Sequence, residues 1–157
     1  MAFIRQSSNS VLLCRSGQRL YALPLIHVQE IMRALPVDPV PAMPDFLLGL
    51  ALIRGAAVPV VDCARLIGAG TPAQVSRYVA LAVGERQLAL AVDAVVGVRM
   101  LSAAMLADIA PLLDGADAGL VQAIATQDAE LLMVLQASRL VPETLWEALA
   151  AREDRAS

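Results

Sequence analysis

Tyr78-Val-Ala-Leu-Ala-Val83, then Gly84-Glu85, then Arg86-Gln-Leu-Ala-Leu-Ala-Val92 is the stretch that decides the fold. Large and small apolar residues alternate along each arm, which is the period of a β-strand. The Gly-led dipeptide between the arms marks a two-residue hairpin turn. An earlier stretch has the same form, with Val11–Arg15 and Arg19–Leu23 flanking Ser16-Gly17-Gln18. A shift of 67 residues superposes the two hairpins. It lays Gly17 on Gly84, Ala22 on Ala89, Leu23 on Leu90, Leu25 on Val92, Val28 on Val95 and Ile31 on Val98.

A second correspondence, at a shift of 74, holds further along the chain. It matches Leu50-Ala51 with Ile124-Ala125 and the turn Arg54-Gly55 with Asp128-Ala129. Val58-Pro59-Val60-Val61 falls on Leu132-Met133-Val134-Leu135, and Arg65-Leu66 on Arg139-Leu140. Self-similarity in two blocks marks an internal duplication. The chain therefore reads as one domain, 1–157, built from two homologous halves. The first covers 11–72 and the second 73–141, joined near Gly68-Ala-Gly-Thr-Pro72. A C-terminal helix and tail, 142–157, follow.

Each half offers about five short strands, which suits a small closed barrel. The expected fold is mainly β: two five-stranded, SH3-like barrels with few short helices. In such barrels the large alternate residues are expected inside and the Ala residues outside. Pro59 is expected to put its strand at an edge or a bulge. Pro44-Asp45-Phe46-Leu47 and Asp62–Leu66 each read as a helical turn. The helix from Pro142 has Leu145, Trp146 and Leu149 on one face, expected to dock on a barrel.

Composition removes several kinds of chemistry. All twelve basic residues are Arg, so the chain has neither a P-loop lysine nor a Schiff-base amine. A net charge of −3 with five aromatic residues argues against nucleic acid as a partner. One His and two Cys leave little for a zinc site, and no other metal or cofactor is expected. The mean hydropathy of +0.64 is high. Yet the longest apolar run, Phe46 to Ile53, stops at Arg54, far short of the ~20 residues a spanning helix needs. The start, MAFIRQSSNS, has no secretory apolar core. A cytoplasmic protein with reduced thiols and no membrane insertion is expected.

At this point the residues resemble a family. Leu20-Tyr-Ala-Leu-Pro-Leu-Ile-His-Val-Gln-Glu-Ile31 is similar to the opening of a CheW-like domain, the coupling module of bacterial chemosensory arrays. The likeness continues through Val40–Gly49, Leu52-Ile-Arg54-Gly55, Val58–Asp62 and Leu88–Gly97, in order, over roughly residues 11–141. The chain departs from the family pattern at Ile53, Cys63, Ala123 and Gln136. The resemblance implies two packed barrels with a groove between them. It also implies a non-catalytic adaptor that joins the cytoplasmic tip of a chemoreceptor to the regulatory domain of a CheA-type histidine kinase. Its receptor- or kinase-binding residues would be Val28, Glu30, Gly49, Arg54 and Gly55. The pathway could equally be a non-flagellar one, governing surface motility or second-messenger output.

The residues have plainer readings beside these. Val28 and Ile31 cannot both face inward on a regular strand, so an irregularity or a second buried face is expected around Glu30. Glu30 and Arg54 could form an ion pair that fixes the local geometry. Asp62 reads as the cap of a short turn, and Asp93 and Gly97 as turn or bend devices. Two further classes stay open at this level. One is a hydrolase using Cys63 or Cys14 with His27; the other is a sensor binding a small ligand between the barrels.

Overall fold

The computed structural model describes residues 10–66, 75–101, 106–107, 120–127 and 130–156. The linker at Gly68–Pro72 and the Ala-rich stretch at 108–119 lie outside the described residues. The described strands are β1 (Ser10–Ser16), β2 (Arg19–Pro24), β3 (Val28–Arg33), β4 (Leu47–Ile53), β5 (Ala56–Asp62), β6 (Arg77–Val83) and β7 (Arg86–Val92). They continue with β8 (Ala94–Met100), β9 (Leu106–Ala107), β10 (Val121–Gln127) and β11 (Glu130–Leu135). Helix α1 is Cys63–Leu66 and α2 is Glu143–Ala156. Pro44–Leu47 does not form a helical turn. A single bond from Leu47 N–H to the Pro44 carbonyl closes a reverse turn, and β4 begins at once.

The strands form two sheets. One has the order β8-β1-β2-β11-β10-β9, with β9 only two residues long; the other is β3-β6-β7-β5-β4. These sheets do not follow the two halves of the sequence. The first hairpin, β1–β2, sits among the strands of the second half, and the second hairpin, β6–β7, sits among those of the first. Each sheet makes the exchange through one parallel pair, β2 with β11 or β5 with β7, and one antiparallel pair, β1 with β8 or β3 with β6.

The duplication survives in the register. Val134 opposite Ala22 in one parallel pair corresponds, under the two shifts, to Val60 opposite Ala89 in the other. The bulges are duplicated too. β3 skips Gln29 in its pairing with β6, and β8 skips the equivalent Val96 in its pairing with β1. β4 skips Leu48 against β5, and β10 skips Gln122 against β11. A bulge does lie at Gln29, but it does not bring Val28 and Ile31 inward together: Val28 is half-buried and Ile31 is exposed, so burial alternates along β3.

Each sheet is brought round toward closure at an equivalent rung. Asp38 bridges Leu50 through two backbone bonds of 2.8 and 2.9 Å, and Ala107 pairs with Ile124 in the other sheet. Gly49 permits the first closure. A Cβ there would meet the Asp38 carbonyl, with its carbon at 2.7 Å and Pro39 N at 3.0 Å, and the φ of 149° is itself unfavourable for a side chain.

Two expectations about packing are corrected. The alternating Ala residues do not face outward: Ala22, Ala51, Ala80, Ala89, Ala91 and Ala125 are all buried. In the second sheet, Ala51, Ala89 and Ala91 pack with Ile53, Val58, Val60 and Tyr78 in one tight cluster. The large alternate set, including Leu81, Leu88, Leu90 and Val92, joins Leu12, Tyr21 and Leu23 from the first sheet in a larger cluster. A sheet packed on both faces places the small residues where space is tightest and the large ones in the joint between sheets. Pro59, in turn, lies on an interior strand, between β4 and β7. Leu50, its partner on β4, spends both backbone groups on Asp38, so that rung asks nothing of Pro59. On the other side, pairing with β7 begins at Val60. The missing N–H therefore falls in a gap of both ladders.

Candidate functional site

The β4–β5 hairpin turns in two residues, Arg54-Gly55, between the facing pair Ile53 and Ala56. Both have left-handed backbone, φ 52° and 82°. This is the arrangement a two-residue hairpin needs to match the strand twist, and an Arg there carries a conformational cost that Gly55 does not. Arg54 Nε donates to Glu30 Oε1 at 2.6 Å, and Nη2 to Oε2 at 3.0 Å. The two-point geometry fixes the guanidinium plane. The pair stays wet, with the Arg54 side chain 78% exposed and Glu30 31%. The Arg54 guanidinium holds the Glu30 carboxyl below its usual range of about 4.5, and Glu30 raises Arg54 in return.

This ion pair walls a cleft of about 420 Å³ at one end of the second sheet. Gln29, Ile53, Val58, Leu81, Gln87 and Leu88 supply much of the remaining lining. The cleft lies within that sheet, while the joint between the two sheets is filled by the large apolar cluster. Val28 pairs with Leu81 and packs on that cluster, so it sits directly behind the cleft wall. Gly49 is four residues up β4 from Ile53, at the Asp38 closure, and does not line the cleft.

The other singled-out residues serve the backbone. Asp62 is buried; its Oδ1 accepts from the Arg65 N–H at 3.4 Å and its Oδ2 lies 3.6 Å from Arg65 Nε, capping α1. Asp93 Oδ2 accepts from the Gly17 N–H at 2.8 Å, which ties the β1–β2 turn to the end of β7. Gly97, φ 154°, follows the β8 bulge. The two carboxylates thus serve separate turns. Among the described residues, no three His, Cys, Asp or Glu side chains gather as metal ligands would.

The thiols are poorly placed for catalysis. Both are buried, and burial pushes the Cys14 thiol up to about 12 and raises Cys63 well above its ordinary value. A nucleophile needs thiolate, so neither fits the role the hydrolase reading gives it. His27 lies in a 3-10 turn, where its Nδ1 is 3.3 Å from the Ala82 carbonyl. A carbonyl only accepts, so Nδ1 carries the proton there.

Sequence reasoning missed two other ionic contacts. Arg15 donates to Glu130 at 2.8 and 3.1 Å, joining β1 to β11. Arg86 donates to Glu143 at 2.6 and 2.7 Å and lies 5.1 Å from the Trp146 ring centroid. The latter pins the first turn of α2 to β7, while Leu145 completes the docking in the large cluster. Partners more than fifty residues apart leave no local signal.

Comparison with known proteins converges with this geometry. Residues 10–144 match the family model described as "CheW-like domain". The chain is 22% identical over 147 residues to a probable chemotaxis protein CheW of Rhizobium etli, covering 92% of this chain and 95% of the relative. It is 32% identical over 145 residues to protein FrzA of Myxococcus xanthus, with 87% of each covered. Among solved structures, it resembles the scaffolding protein TtCheW from Thermoanaerobacter tengcongensis. That likeness has a TM-score of 0.72 at 23% identity, over 82% of this chain and 89% of the other.

Proposed function

This chain belongs to the CheW-like domain family, and from that premise we propose that it couples the cytoplasmic tip of a chemoreceptor to the regulatory domain of a CheA-type histidine kinase. At the coarser level it is a non-catalytic scaffold protein of a chemosensory pathway. The observation that carries the finer reading is the Glu30–Arg54 pair. It is a two-point ion pair held on a strained turn at the rim of a cleft, where it contributes little that folding requires. A left-handed Arg beside a Gly is a conformational cost that a purely structural turn would avoid by placing Gly or Asn there.

In this reading Glu30, Arg54 and Gly55 form the rim that a partner meets. Val28 shapes the wall behind it, and Gly49 holds the closure that keeps β4 in place. Function is then assembly: the scaffold's rigidity relays the position of one partner to another, with no turnover. Its place is the cytoplasm, recruited to receptor arrays at the membrane. No helix among the described residues is long and apolar enough to cross one. A non-flagellar chemosensory pathway is the alternative output, since the chain is similar both to proteins named for chemotaxis and to FrzA.

The test is a pull-down of the full chain with a receptor signalling fragment and with a kinase regulatory domain, each assayed separately. Capture of both is expected. Loss of both by a protein with native circular dichroism would overturn the coupling role.

A further inference from the structure

At the far end of β3 from the bulge, Arg33 stands directly opposite Arg77 on β6. Facing residues on neighbouring strands have Cβ atoms about 4.5–5.5 Å apart, and like charges there are destabilising. Both arginines are exposed, and among the described residues neither forms an ion pair. Arg77 Nη1 donates to the Ser76 carbonyl at 3.0 Å, which leaves its other donors toward solvent.

The backbone around the two is held firmly. Ala34 N–H donates to the Ser76 carbonyl at 3.2 Å, and Tyr78 Oη donates to the Leu35 carbonyl at 2.7 Å. Ser76 N–H donates to the Val92 carbonyl at 3.0 Å, and its hydroxyl to the Asp93 carbonyl. These bonds hold the rung from both strands.

The duplication supplies the control. Under the shift of 67, Arg33 and Arg77 fall on Met100 and Ser10, and those two face each other across β8 and β1. The architecture therefore accommodates an uncharged rung at this point. The doubled charge is a property of one copy alone.

We infer that Arg33 and Arg77 are a docking clamp for a carboxylate-rich segment of a partner protein, whose acidic side chains neutralise the opposed guanidinium groups. Two planar forks presented side by side suit carboxylates at alternate positions of an extended chain. Ile31, 44% exposed on the same face two residues back, adds an apolar contact. The ideal segment thus carries Asp or Glu beside one apolar residue. This goes beyond the coupling role above, which rests on the Glu30–Arg54 rim.

The test is a titration of the ¹⁵N-labelled full chain with a blocked twelve-residue peptide of Glu around a central Leu, read at backbone amides. Shifts at Arg33, Ala34, Ser76 and Arg77 are expected, weakening about tenfold as salt shortens the screening length. The double variant Arg33→Met, Arg77→Ser installs the rung the other sheet already holds. It should keep its melting temperature, or gain, while losing the peptide shifts. Arg33→Glu forms an opposite-charge rung and should do the same. Equal shifts from a peptide with Gln for Glu, or undiminished binding by either variant, would overturn the clamp. So would binding of inorganic phosphate or of phosphatidylserine vesicles as tight as that of the Glu peptide. Receptor and kinase pull-downs on the double variant separate the two proposals, because the clamp's loss leaves the Glu30–Arg54 rim intact.

Discussion

The two bulged edge strands, β3 and β8, are the same object built twice. Both omit one residue at the same repeat position, both pair with the first strand of a hairpin, and both lead toward a closing rung. They share Val28 with Val95 and an aliphatic Ile31 with Val98, but their charges differ. Where β3 carries Glu30, ion-paired to Arg54, β8 carries Gly97. Where β3 ends in Arg33, β8 ends in Met100, and β8 exposes Val96, Val98 and Met100 along one edge. The backbone plan is what the duplication keeps, and the charges are what each copy adds. Chemistry present in one copy and absent in the other is not required by the architecture, which makes the contrast a guide to binding surfaces.

The largest effect should come from the closures. Gly49→Val drives a side chain into the Asp38 backbone and should cost about 3 kcal/mol in urea denaturation, the sum of strain and overpacking. Gly97→Val meets only the flexible Arg99 Nη1, at 3.5 Å, and should cost about 1 kcal/mol from its φ alone. Equal costs would show that the Asp38 backbone adds nothing to the penalty at the β4 closure beyond the φ that both glycines share.

Next are the charges that exist in one copy only. Glu30→Arg and Arg54→Glu should each weaken partner capture about tenfold while leaving the melting temperature nearly unchanged. Recovery in the double swap would make the pair architectural; continued loss would make it a direct contact. A third step is Gly55→Val, which has no neighbour within 4 Å and should cost about 1 kcal/mol through its φ alone, read in urea denaturation.

The smallest effect is a pH dependence. The Glu30 carboxyl titrates below its ordinary 4.5 because Arg54 bonds its charged form. Its contribution is therefore fully present above pH ~4.5 and fades as pH falls through the lowered folded value. A carboxyl NMR titration should show that low midpoint, rising in Arg54→Ala. Gly97, at the matching position, has nothing to titrate.

Much of the fold was legible because alternation and punctuation are local. The hairpins at Gly17 and Gly84, the Arg54-Gly55 turn and the α2 start all follow from neighbouring residues. The duplication was legible as well; a bulge does sit beside Glu30, but not for the reason the spacing offered, since Ile31 faces outward. The exchange of hairpins was not legible. It depends on which strand β2 and β7 meet in space, and pairings such as Leu20 with Leu132 leave no mark within either segment. The burial of Ala was misread for the same reason: alternation distinguishes two faces but does not say which one another sheet will cover. At the site, Glu30 and Arg54 stood out as charges in apolar surroundings. Arg86 and Glu143 did not, being ordinary charges at ordinary surface positions.

The parallel pairing of β2 with β11 also has a consequence in time. The first hairpin leaves the ribosome roughly a hundred residues before its neighbour is made, an interval on the order of ten seconds at typical synthesis rates. Throughout it, β2 has an unsatisfied edge and a half-built core. The nascent first half cannot complete either sheet, so the chain must wait in a partly assembled state and then fold through long-range contacts, which are slow to form. Two fragments severed between α1 and β6 should regain the fold only when mixed.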